Sequence, residues 1–108
     1  MTGHFMRLIL SLLALFMPIA TAPAQDPIRH GRAVVKEFCA RCHAIGRAGK
    51  SPHPSAPPFR TLGRSFDLDA LPRRLERGIS SGHPDMPEFK FTESDARDVV
   101  AYLRTIQR

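Results

Sequence analysis

The chain has 108 residues, two cysteines, no tryptophan and a formal charge of +6. That length makes one domain rather than two, and two cysteines exclude a multi-disulfide framework. The positive excess is mostly arginine, a balance that suits an acidic docking partner or an anionic surface as well as a merely solvated basic face.

The first residues have the layout of a secretory signal peptide. Arg7 precedes the apolar run Leu8 to Met17, Pro18 interrupts it, and Ala22-Pro23-Ala24 offers a small-residue cleavage site. The run is shorter than the roughly 20 residues needed to cross a bilayer, so the expectation is cleavage and no permanent membrane span. Arg7 has no second arginine beside it, which fits general secretion rather than the twin-arginine route. Residues 1–24 are therefore read as the signal and 25–108 as the working domain. Export argues against nucleic acid as a partner. A chain this short rarely builds a secure core from side chains alone, so a bound prosthetic group is the natural filler.

Asp26 as N-cap with Pro27 at the first helical position opens a helix that places Ile28, Gly31, Val35 and Phe38 on one face and runs into Cys39. From Gly46 to Gly63 the chain turns to Gly, Ser and Pro, and Pro52, Pro54, Pro57 and Pro58 rule out a regular helix or strand. A second helix runs from about Asp67 or Asp69 to Arg77, with Leu71, Leu75 and Ile79 along one side and Gly78 as its stop. Pro72 is tolerated only in the first turn, which makes Asp69 a better cap than Asp67. Residues 80–90 are irregular. A last helix starts at Thr92, with Asp95 three residues on as a weak capping box. Its apolar stripe is Ala96, Val99, Val100, Leu103 and Ile106, with Tyr102 at the edge. Nothing alternates with period two over strand length, so the fold class is all-α, about three helices wrapped around something central.

Cys39-Ala40-Arg41-Cys42-His43 fits the pattern for covalent haem c attachment. Cysteines three apart near a helix end face the same way, so both sulfurs can add to the two vinyl groups on one porphyrin edge. His43 then stands beneath the ring as an axial ligand of the iron. A redox Cys-x-x-Cys belongs in a strand-helix-strand context that this sequence lacks. Zinc would need a fourth ligand, for which His53 or His83 would be guesses. Met1, Met6 and Met17 leave with the signal, so Met86 is the remaining methionine, and Pro84 and Pro87 brace its loop. It is read as the second axial ligand, against the ordinary gap-filling role of methionine. His83 is the nearest competitor and His30 and His53 are weaker ones; all three are read as polar surface. Methionine paired with histidine raises the haem potential.

Together these residues resemble class I cytochrome c of the small bacterial, periplasmic kind. The resemblance spans about Asp26 to Gln107. It is carried by Gly31 and Val35, the Cys39 to His43 motif, Ala56-Pro57-Pro58-Phe59, Met86-Pro87, and Val99-Val100-Ala101-Tyr102-Leu103. It implies the cytochrome c fold, with the first and last helices crossing at Gly31 and Tyr102. It also implies that the carbonyl of Pro57 or Pro58 accepts a hydrogen bond from the second nitrogen of His43.

The function implied is one-electron transfer by a single haem with His43 and Met86 as ligands. Full coordination leaves no open position for substrate, so a carrier is expected rather than an enzyme. Without Met86 on the iron, a peroxide-activating enzyme or gas sensor becomes the alternative; a cytochrome subunit of a larger periplasmic dehydrogenase is another. Lys36, Arg41, Arg47 and Lys50 flank the motif as candidates for steering an acidic redox partner. The groups that hold the haem propionates are left open: Arg60 and Arg64 are available, and read equally well as surface charges.

Overall fold

A computed structural model describes residues 17–21 and 25–108. The cleavage site and most of the signal reading lie outside the described residues. Helix α1 (Pro27–Phe38) begins as its sequence predicts: Asp26 is extended, its carboxylate accepts from the Ile28 amide at 3.0 Å, and Pro27 fills the first position. Helix α2 spans Leu71–Arg77 and α3 spans Glu93–Ile106, where the Thr92 hydroxyl accepts from the Asp95 amide at 3.1 Å. The described residues are thus all-α, apart from one isolated antiparallel bridge between Ile79 and Phe89.

Two expectations about helix boundaries change. Asp69 does not cap α2: the cap position is Ala70, and Asp69 instead pairs with Arg104 of α3. Asp67 accepts from the Asp69 amide at 2.9 Å, forming a side-chain turn just before the helix. In the proline-rich stretch, Phe59–Arg64 forms a short 3-10 helix starting directly after Pro58. The prolines do exclude an α-helix before it, but once they end the chain is free to coil.

The core forms where α1 and α2 both pack on α3. Val34, Val35, Leu71, Leu75, Ala96, Val99, Val100, Tyr102, Leu103 and Ile106 are buried together, and Val35 is fully enclosed. Gly31 permits the α1–α3 approach, because a Cβ there would collide with the Asp98 carbonyl. Tyr102 lies one turn further along α3, and its hydroxyl donates to the Ile45 carbonyl at 2.6 Å, tying α3 to the segment after His43. Ile28 and Phe38, expected on the buried face, are each more than two-fifths exposed. Ile28 is the second residue of α1, and Phe38, its last, lies at the rim of the central cavity.

Candidate cofactor site

Where α1 ends, the backbone keeps curling: the Cys42 and His43 amides donate to the Cys39 carbonyl at 3.2 and 2.9 Å. This turn presents Cys39, Cys42 and His43 toward one cavity of about 760 Å³, and Met86 lines it too. The four residues singled out from sequence are therefore gathered around one space. Its walls are mainly apolar, built from Val34 of α1, Leu71 and Leu75 of α2, and Val99 and Leu103 of α3, with Phe59 and Phe91 from the connecting segments. A volume of this size suits a large organic cofactor.

The orientation of His43 is fixed on two sides. Its Nδ1–H donates to the Pro57 carbonyl at 2.8 Å, and its ring lies against Phe59 with centroids 4.5 Å apart. Between the two prolines left open by the sequence, Pro57 holds the imidazole. With Nδ1 protonated and engaged, the lone pair stays on Nε2, the arrangement a metal-binding histidine requires. Burial pushes the Cys39 thiol up to about 11. A thiol neutral at pH 7 is a poor redox nucleophile, which weighs against thiol–disulfide chemistry at this motif. The two thiols, the oriented imidazole and the half-buried thioether of Met86 around an apolar cavity fit covalent haem.

The competing histidines separate by their partners. His30 lies outside the cavity and pairs with Asp95 at 2.7 Å. His53 and His83 both line the cavity, so neither is plain surface. Both His53 nitrogens are engaged: Nδ1 accepts from the Ser55 amide at 3.1 Å and Nε2–H donates to Asp85 at 3.0 Å. The hydrogen bond from His53, aided by the nearby imidazoles of His83 and His53, holds the Asp85 carboxyl below its usual value. His83 is exposed where Met86 is half-buried, and its Nδ1 accepts from the Asp85 amide at 3.2 Å.

The cations also sort by position. Arg60 donates to the Gly49 carbonyl at 2.7 Å and Arg64 to that of Arg108 at 3.2 Å; neither lines the cavity, which favours surface charge over propionate contact, the two roles the sequence left open for them. Arg74, overlooked in the sequence, does line it, with its guanidinium 5.1 Å from the centre of the Phe66 ring. Its position in α2 beside Leu71 and Leu75 was the available signal, since it follows Leu71 by three residues. Of the four basic residues flanking the motif, Arg41 reaches the cavity wall, while Arg47 is turned to the Thr105 carbonyl at 3.1 Å.

Three helices closed on an apolar cavity that collects this donor set are the framework of a c-type cytochrome. Residues 26–103 match the family described as cytochrome c oxidase, cbb3-type, subunit III, and the chain belongs to that family. It is also 28% identical over 102 residues to cytochrome c-552 of Bradyrhizobium diazoefficiens, which covers 94% of this chain and 95% of that protein. The chain is a small class I cytochrome c, and its work is electron transfer with redox partners through haem c.

Proposed function

We propose that this cytochrome holds one haem c through thioethers at Cys39 and Cys42, binds its iron with His43 and Met86, and shuttles single electrons in the periplasm. The observation that carries the reading is the convergence of these four residues on one cavity, with His43 turned by Pro57 so that Nε2 is free to bind. Haem c supplies the ferrous–ferric couple. The chain's own residues keep the site dry and rigid: Leu71, Leu75, Val99 and Leu103 exclude water, and Phe59 holds the imidazole plane. Arg74 at the wall is the cation suited to a haem propionate.

With His43 and Met86 both holding the iron, no position would be left for substrate, and we infer a carrier without catalysis of its own. The exposed cations Lys36, Arg41 and Lys50 near the attachment motif favour a partner with an acidic docking face. Among the described residues no helix is long and apolar enough to cross a membrane. Export of the domain rests on the Arg7 to Ala24 pattern.

The test is a pyridine haemochrome assay on exported protein after denaturation and acetone extraction. One haem per chain resisting extraction supports the reading; single Cys39→Ala and Cys42→Ala variants should each keep the haem through the remaining thioether, and its loss in the double variant assigns the attachment to these two cysteines. Protein matured by a competent host without covalent haem would overturn it. A second reading, a cytochrome subunit of a larger assembly, gains weight from a family named for an oxidase subunit. Co-purification with a large subunit from the native membrane or periplasm would favour that reading.

A further inference from the structure

The segment that carries Met86 is anchored at its base and at its tip by different means. At the base, Ile79 and Phe89 exchange two backbone hydrogen bonds, of 2.8 and 3.2 Å. Inside the loop, the Met86 amide donates to the His83 carbonyl, the Asp85 amide to His83 Nδ1, and the Ser80 and Ser81 hydroxyls accept from the Gly82 and His83 amides. These bonds shape the tip without fixing it to anything else. Among the described residues, the hydrogen bond that joins residues 80–88 to the rest of the chain is His53 Nε2–H to Asp85 Oδ2, at 3.0 Å.

His53 is well placed to act as a fixed post. Its amide donates to the Cys42 carbonyl at 3.1 Å, so its backbone is tied to the attachment motif itself. The Ser55 amide occupies Nδ1, which forces the ring proton onto Nε2, facing Asp85. The His83 ring then stands edge-on to His53, with centroids 5.6 Å apart. Pro52 and Pro54 on either side restrict the backbone of the post.

We propose that His53 and Asp85 form a clasp that holds the Met86 loop shut against the haem-attachment segment and so keeps the thioether on the iron. They are positioning residues: neither binds iron, and each acts through the place it gives Met86. The proposal rests on Met86 being the axial ligand. Opening the clasp frees the loop tip while leaving the Ile79–Phe89 base and the helical core in place. Its consequence is easier replacement of the thioether by an outside ligand, rather than loss of the fold.

The experiment is a titration of ferric holoprotein with imidazole, followed by the far-red methionine-to-iron absorption band. His53→Ala and Asp85→Ala should each tighten imidazole binding about tenfold relative to wild type. The double variant should match either single variant, because one interaction can be lost only once. His53→Gln, which keeps an N–H donor, should restore part of the wild-type resistance. Thermal melts of the same variants separate local opening from general destabilisation. Wild-type protein showing the band, with single variants that bind imidazole within twofold of it or effects that add in the double variant, would overturn the clasp alone. Wild-type protein lacking the band would overturn Met86 ligation and the clasp with it.

Discussion

His43 donates its Nδ1 proton to the Pro57 carbonyl oxygen across 2.8 Å, and this bond decides which ring nitrogen is left for a metal. Such a bond also makes the imidazole a better electron donor, which favours ferric iron. The carbonyl is held in place by the restricted backbone of two consecutive prolines. Replacing Pro57 with glycine keeps the carbonyl but loosens it. The expected result is a loss of about 1 kcal/mol in stability and a potential raised by roughly 20–40 mV. Redox titration beside a denaturant melt checks both; a fall in potential would contradict this role of Pro57.

Gly31 tests the packing of the two terminal helices. A methyl group there would meet the Asp98 carbonyl and lie 2.9 Å from the Val99 nitrogen, both of them backbone atoms that cannot swing aside. Gly31→Ala should therefore force α1 and α3 apart. A loss of roughly 3 kcal/mol is expected, lowering Tm by at least about 10 °C. Helix propensity alone would predict the opposite sign, since alanine is the better helix former, so the direction of the Tm change discriminates.

Tyr102 connects that helix pair to the loop following the attachment motif. Its side chain is buried and its hydroxyl donates to Ile45 at 2.6 Å. Tyr102→Phe keeps the ring and leaves the Ile45 carbonyl short of a partner. The expected cost is about 1–2 kcal/mol, read by denaturant unfolding, with the visible spectrum of the folded protein unchanged. A spectral change without destabilisation would mean that the hydroxyl acts on the haem side instead.

Local chemistry in the sequence was a good guide wherever a feature is decided within a few residues. Asp26-Pro27 and Thr92 each announce a helix start, and Gly78, with a φ of +112°, marks a helix end that favours glycine. The Cys39 to His43 spacing was legible for the same reason. What escaped depends on which distant groups meet. Asp69 looks like a cap but is drawn to Arg104, 35 residues away. The Ile79–Phe89 bridge involves one residue on each side, too few to show alternation. Arg74 is one of 16 lysines and arginines, and its spacing from Leu71 becomes telling only once α2 is seen packed on α3. The His53–Asp85 contact joins two proline-bearing loops whose paths no periodicity reveals.

The selection of Arg74 over Arg60 and Arg64 gives a paired prediction. A cation beside the haem favours the reduced state, which carries one positive charge fewer. Arg74→Gln should lower the potential by roughly 20–40 mV at low salt, with the shift shrinking as ionic strength rises. Arg60→Gln and Arg64→Gln should leave the potential unchanged, because their side chains are engaged with backbone carbonyls away from the cavity. Equal shifts from all three variants would show a diffuse surface-charge effect and contradict a specific role for Arg74.

The account turns most on Met86, the half-buried thioether that shares its cavity with His43. The far-red absorption of the ferric holoprotein, compared between wild type and Met86→Ala, tests it directly. A methionine-to-iron band present in the wild type and absent from the variant is the predicted result. A band that survives the substitution, or one missing from the wild type, would contradict the assignment of Met86.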